Sequence, residues 1–225
     1  MSFDWKWGFV WDILPRLIEA TGNTVMAACF GYLIAIVLGL MFALGQRTRF
    51  KVLSVVLRET VEFIRSTPLV LQIFFVFYVG PQVGVMLSPW TAGMIAIGLH
   101  YGAYLSEVYR AGIESVPKGQ WEAAVSLSLS RVRTYTRVIL PQAVPPAFAG
   151  MGNYLVGIFK DTPMLSVIGV AELMHTANSI GSENYRYLEP YTLVGVIFLL
   201  ISLPTAWMLR ILERVIRKKM GLRLR

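Results

Sequence analysis

The sequence from Ala20 to Gln46 carries no charged side chain, and its centre, Leu33 to Leu44, is almost wholly apolar. A run of that length matches the roughly 20 apolar residues that a helix needs to cross the hydrocarbon of a bilayer. Comparable runs recur near 55–79, 90–110, 139–160 and 190–210. A chain built this way cannot cover itself with polar surface: 56% of its 225 residues are hydrophobic, 15% are charged, and the mean hydropathy is +0.59. Bilayer is its expected solvent, and an all-α membrane protein of five transmembrane helices in a single domain, 1–225, is the expected class.

Each run has its own punctuation. Trp5, Trp7 and Trp11 precede the first and suit the water interface. Arg58, Glu59, Glu62 and Arg65 occupy the first three turns of the second and are expected to project into the cytoplasm. Gly80-Pro81 and Ser88-Pro89 separate the second from the third. The fourth contains Pro141, Pro145 and Pro146 and then Gly150, Gly152 and Gly157, which predicts a broken entrance followed by close helix contacts. Cys29, the single cysteine, is expected as a small packing residue, since it has no partner for an intramolecular disulfide or a metal site. Asp4, Lys6 and Asp12 interrupt the N-terminal apolar residues and no small-residue cleavage site follows, so the first span is expected to serve as its own insertion signal.

Lysine and arginine counts in successive loops fix the expected orientation, because positive loops stay in the cytoplasm. The N-terminal segment has Lys6 and Arg16; the first loop has Arg47, Arg49, Lys51, Arg58 and Arg65; the second has none. The third has Arg110, Lys118, Arg131, Arg133 and Arg137, the fourth Lys160 and Arg186, and the tail Arg210, Arg214, Arg217, Lys218, Lys219, Arg223 and Arg225. The series 2, 5, 0, 5, 2, 7 places the N-terminus outside and the C-terminus in the cytoplasm. Thr162 to Ser182 is moderately apolar but contains Glu172 and His175. A sixth crossing there would send the basic tail outside, so a short partial or surface helix on the outer side is expected. The net charge of +8 is spread between apolar runs and gathers on no one face, which argues against nucleic acid. The tail reads as a topology anchor beside anionic lipid.

The one long cytoplasmic loop, 111–137, carries the most specific signal. Pro117 and Gly119 stop the preceding helix, and Gln120 to Leu127 can form a short helix on which Ala123 and Ala124 leave little bulk, a surface suited to close approach by another protein. Ser128 to Ser130 offers a turn, Arg131 to Ile139 a second helical segment, and Pro141 is expected to reopen the chain at the membrane. Glu122-Ala123-Ala124, a bend, and then Val138-Ile139-Leu140-Pro141 resemble the EAA loop of ABC importer permeases. Ser128 stands where that loop commonly has glycine, which weakens the reason to expect a left-handed bend there. Arg65-Ser66-Thr67-Pro68-Leu69, Gly102-Ala103-Tyr104-Leu105-Ser106-Glu107 with Arg110 and Gly112, and Lys160-Asp161-Thr162 with Ser166-Val167-Ile168-Gly169-Val170 resemble segments of the polar amino-acid uptake family, the histidine, glutamine, glutamate and arginine type. Pro163 replaces a common serine.

The resemblance implies a type I ABC importer (MetI-like) permease fold in the inner membrane. It also implies an ATP-binding subunit dimer that carries ATP and Mg, a second permease subunit, identical or related, and an extracytoplasmic solute-binding protein. No GxxxxGK[ST] phosphate loop is present, so ATP chemistry is expected in trans and no cofactor on this chain. Gly119, Glu122, Ala123, Ala124, Ser128 and Pro141 are the implied ATPase-coupling residues. Gln72, His100 and Asn153 fall near the membrane midplane and have two readings, solute recognition or hydrogen bonding between helices. Lys160 and Asp161 either neutralise each other or meet the two charges of a zwitterion. Glu107 and Arg110 are expected to pair across one helical turn. His175 starts no HExxH motif and is expected on the outer surface. An amino acid is the expected solute; the sequence also has an impression of ectoine and hydroxyectoine permeases that attaches to no particular residue. A channel or ion-gradient transporter is the alternative class, and an intramembrane enzyme ranks last.

Overall fold

The computed structural model describes residues 4–219 and, among them, is helical throughout. Helix α1 runs Trp7–Gly45, and α4, the third expected span, runs Pro89–Glu114. These two lie side by side and form the centre of the bundle. Their contact is made by small residues: the α1 positions buried along it include Ala27, Ala28, Gly31, Ala35 and Gly39. The large apolar residues Met26, Phe30, Leu33, Val37, Leu40 and Leu44 face outward. Both sets recur at helical spacing, so α1 has small residues inside and large apolar ones outside, the reverse of a water-soluble helix. Between transmembrane helices no hydrophobic effect operates, because lipid tails are as apolar as leucine; close approach and the dispersion contacts it permits provide the attraction.

How close the approach is shows at the glycines. A Cβ at Gly39 would lie 2.8 Å from Leu105 Cβ and 3.0 Å from the Gly102 carbonyl oxygen, and one at Gly98 would lie 2.3 Å from Ile34 Cγ2. The seam continues onto helix α7, Leu140–Asp161, where a Cβ at Gly112 would meet the Ala143 carbonyl at 2.9 Å.

Around this centre the other helices are broken. The run expected as one span over 55–79 is two helices, α2 (Lys51–Ser66) and α3 (Leu69–Phe74), the latter continued by a π-turn and a 3-10 turn to Val83. They meet at a bend of 110°. Pro68 is the cause: its ring disfavours a helical conformation in the preceding residue, and Thr67 is extended at φ −107°, ψ 140°. Arg58, Glu59, Glu62 and Arg65 therefore sit on a separate amphipathic helix and not on the first turns of a span.

Pro141 does not reopen the chain. Short helices α5 (Lys118–Ser126) and α6 (Arg131–Arg133) follow α4, and a π-helical turn over Thr134–Ile139 then carries the backbone into α7 without a break. The wider turn accommodates the missing N–H and the ring that a proline brings. After α7 a 3-10 turn, Thr162–Ile168, leads to the 12-residue helix α8, Leu173–Asn184, bent 48° from the preceding helix. Finally α9 spans Leu188–Lys219. Of all the described helices, α1 and α9 are by themselves long and apolar enough to cross a membrane, and the two bent pairs qualify when each is taken together. Helix α4 is 26 residues long, enough for about 39 Å. Arg223 and Arg225 of the basic tail lie outside the described residues.

Helix α8 packs Leu173, Ala177 and Ile180 against Ile13 and Leu17 of α1 and Val194 of α9. Glu172 caps it, accepting from the N–H groups of Met174 and His175 at 3.0 and 2.7 Å. Burial pushes the Glu172 carboxyl up to about 7, against the pull of those two N–H groups. Arg16 holds the far end through two bonds to Glu183, at 2.9 and 3.2 Å. His175, expected on the surface, is half-buried on α8, and Cys29, expected as a packing residue, is exposed on the outer face of α1.

If the small-residue seam holds the bundle, Gly39→Leu should destabilise it by about 3 kcal/mol or more, since overpacking is met here by backbone. Gly22→Leu, with nothing within 4 Å of the new Cβ, is the matched change on the same helix. Thermal unfolding in detergent should show a marked loss for the first and little for the second; equal effects would place the bundle's stability elsewhere.

Candidate functional site

Two regions concentrate functional geometry. The first is the loop between α4 and α7. Pro117, extended at φ −55°, ψ 139°, starts α5, and the helix ends on Ser128 in the left-handed region at φ 53°. The left-handed bend thus forms with serine in place of glycine. A side chain makes that conformation cost about 1 kcal/mol, and the Ser128 and Leu129 N–H groups bonded back to Val125 and Ala124 offset it.

The helix shows its two alanines to different surroundings. Ala124 is buried against the base of the bundle, while Glu122 and Ala123 are exposed. Val116, Ile139 and Ala143 form a small core beneath the loop, with Trp121 packed on it. The Trp121 ring meets Tyr135 edge-on at 5.5 Å, and Gln142 of α7 donates to Gln120 at 3.3 Å. An open cleft of about 690 Å³ lies between α5 and the following turn, lined by Trp121, Glu122, Val125, Leu129, Arg131 and Tyr135. Val125 and Leu127 are more than 70% exposed. Gly119 and Pro141 are exposed at the two ends of this unit. The loop is a shaped projection tied to α4 and α7, with an apolar outer face.

The second region lies inside the bundle. His100, Tyr101 and Tyr104 of α4 meet Tyr154 and Asp161 of α7. Tyr101 donates to Asp161 Oδ2 at 2.6 Å, a charge-assisted bond. Ring centroids of His100 lie 5.4 Å from Tyr101 and 5.1 Å from Tyr104, and Tyr104 lies 5.5 Å from Tyr154. The Arg65 guanidinium stands 5.5 Å over the Tyr104 ring, and Tyr104 donates to the Arg65 carbonyl at 3.2 Å. Two polar atoms here are buried with no hydrogen-bond partner among the described residues: His100 Nδ1 and Arg65 Nε. An unsatisfied buried donor or acceptor costs about 1–3 kcal/mol.

Of the residues selected from the sequence, the structure brings His100 and Asp161 together and leaves three apart. Gln72 is committed to the bend: its amide nitrogen donates to the Ile64 carbonyl at 2.7 Å and to Thr67 Oγ1 at 2.7 Å. Asn153 lines a separate cavity of about 250 Å³ between α7 and α9, with Arg210 and Glu213. Lys160 is exposed and makes no ion pair with Asp161. Glu107 and Arg110 pair as expected at 2.6 Å, and Glu114 joins them at 2.6 Å. Tyr101, Tyr104, Tyr154 and Arg65 went unselected. Helical spacing could have found three of them: Tyr101 and Tyr104 lie one turn apart beside His100, and Tyr154 lies two turns before Asp161.

A helical membrane bundle with a buried polar aromatic cluster and a shaped projecting loop is the architecture of a transport permease. The chain belongs to the family of binding-protein-dependent transport system inner membrane components, whose profile matches residues 35–218. A probable amino-acid ABC transporter permease of Sinorhizobium fredii is 42% identical over 220 residues, covering 92% of this chain and 94% of that one. The L-cystine transport system permease TcyB of Bacillus subtilis is 35% identical, covering 92% and 93%, and the glutamine transport system permease GlnP of Escherichia coli is 35% identical, covering 95% and 98%. A chain from the crystal structure of an amino acid ABC transporter with histidines superposes with a TM-score of 0.89 at 32% identity, covering 95% of this chain and 99% of that one. The inward-facing methionine transporter MetNI shares the fold, with a TM-score of 0.70 at 15% identity over 94% of this chain and 99% of that one. None of these relatives is an ectoine permease.

The Tyr101–Asp161 bond should appear as coupling in a double-mutant cycle. Tyr101→Phe and Asp161→Asn should each lower thermal stability, and the pair together should cost about 1.5–3 kcal/mol less than the sum. Additive effects would mean that the bond contributes nothing to holding α4 on α7.

Proposed function

We propose that this chain is the membrane subunit of an ATP-driven inner-membrane importer for a small polar or zwitterionic amino acid. In this reading it crosses five times, through α1, the segment that begins with α3 after the Pro68 bend, α4, α7 and α9, with the N-terminus outside and the C-terminus in the cytoplasm. The alternating lysine and arginine series supports the orientation. The amino-acid substrates in the names of the relatives support the substrate class.

The observation that carries the reading is the loop: a short helix with a small-residue face, exposed at Glu122 and Ala123 and anchored beneath at Ala124, on a chain with no phosphate loop of its own. Such a helix can seat in a cleft of a partner ATPase. Gly119 lies in its first turn, Ser128 closes its far end, Pro141 stands where the loop enters α7, and its small core with α4 and α7 transmits the partner's closure to the bundle as a rigid-body movement. A second permease subunit and a solute-binding protein complete the assembly. Within the membrane the cluster around His100 and Asp161 suits a zwitterion. The Asp161 carboxylate can take an ammonium group, while Arg65 or Lys160 supplies positive charge for a carboxylate. Polar groups at this depth are costly unless they face a partner or a cavity.

Reconstitution with the partner ATPase and binding protein tests the whole. Amino-acid uptake should require the ATPase, and full-rate uptake without it would sink the importer reading in favour of a channel or gradient-driven carrier. Ala123→Trp should abolish ATPase association with normal membrane insertion, because the added bulk falls on the exposed face; unchanged association would refute the docking role.

A further inference from the structure

A cleft of about 430 Å³ opens where the C-terminal ends of α1 and α4 meet the start of α7. Its wall is apolar and continuous with the outward face of the bundle: Leu40 and Leu44 of α1 and Leu140 and Val144 of α7 all line it and are all exposed. Its rim carries two arginines. Arg110 lines it but is committed to Glu107 and Glu114. The Arg47 side chain, one turn beyond Leu44, has no ion pair or hydrogen bond among the described residues, and the Tyr135 hydroxyl, on the same lining, has none either.

One unpaired guanidinium and one free phenol above an apolar wall ask for a ligand that is anionic at one end and hydrocarbon at the other. A soluble anion leaves the wall unused. A partner protein seated on α5 meets it only at Tyr135, which lines both this cleft and the one beside α5. We propose that this cleft holds one anionic phospholipid of the cytoplasmic leaflet. Its phosphodiester sits on Arg47 and Tyr135, and one acyl chain lies along Leu40, Leu44 and Val144. The leaflet assignment rests on the orientation given above. The lipid touches α1 on one side and Tyr135, which packs on Trp121 of the coupling loop, on the other.

Native mass spectrometry of the assembled importer tests the site, with phosphatidylglycerol and phosphatidylcholine of matched chains as probes. The complex should retain phosphatidylglycerol preferentially, and Arg47→Gln should lower that retention about fivefold, whereas Arg49→Gln leaves it unchanged. Inorganic phosphate should not compete. Equal retention of the two lipids, wild-type retention by Arg47→Gln, or displacement by phosphate would each overturn the proposal. Thiol labelling of Arg49→Cys in a Cys29→Ser background separates a failure of orientation from a failure of the cleft. Labelling from the cytoplasmic side supports the leaflet assignment, and labelling from the outer side alone overturns it whatever lipid is retained.

Discussion

The contact between α1 and α4 through glycine and alanine is the interaction on which the rest of this structure depends. In a bilayer, two helices gain nothing by burying leucine against leucine, since lipid offers the same surroundings. They gain by approaching until backbone meets backbone, and Gly39, Gly98 and Gly102 allow that. The large side chains displaced from the seam, from Met26 to Leu44, become the lipid-facing surface. One sequence pattern therefore sets both the core and the boundary with the membrane.

A fixed centre allows irregular elements around it. Helix α2 turns into α3 at Pro68 through 110°, the entrance to α7 widens into a π-turn before Pro141, and its exit tightens into a 3-10 turn at Thr162. Each irregularity brings polar groups to a place where a continuous helix would not. The first sets the Arg65 guanidinium over Tyr104, and the second joins the coupling loop to α7. Asp161, held by Tyr101, stands at the third. Unsatisfied backbone is tolerated at such points only where protein buries it or a cavity is lined.

Hydropathy made the apolar runs and the long polar loop between α4 and α7 legible, because both depend on composition over many residues. The small-residue helix at Glu122 to Ala124 was legible through its pattern, and the Glu107–Arg110 pair through its spacing. Other features depend on one residue's local geometry and were misread. A proline 13 residues into an apolar run looked compatible with one span over 55–79, but its effect on Thr67 bends the chain. Pro141 looked like an opening, but a wider helical turn absorbs it. Serine at position 128 argued against a left-handed bend, yet two backbone hydrogen bonds hold one there. Gln72 and Asn153 were chosen by depth alone, and depth does not specify direction: one amide is consumed by a bend and the other faces α9. Tyrosines escaped attention because they are ordinary in membrane sequences until spacing is combined with the position of a neighbouring acid.

In the importer proposed above, the seam and the small core beneath the loop carry α5 and α1 as one body when the partner ATPase closes. Spin labels at Ser126 on α5 and Arg49 beyond α1, in a Cys29→Ser background, measure that directly by pulsed dipolar spectroscopy of the assembled importer. A single narrow distance, unchanged between nucleotide-free and ATP-bound states, is the expected result. A distance that broadens or shifts with nucleotide would show a loop that moves independently of the bundle, and would contradict the rigid coupling described here.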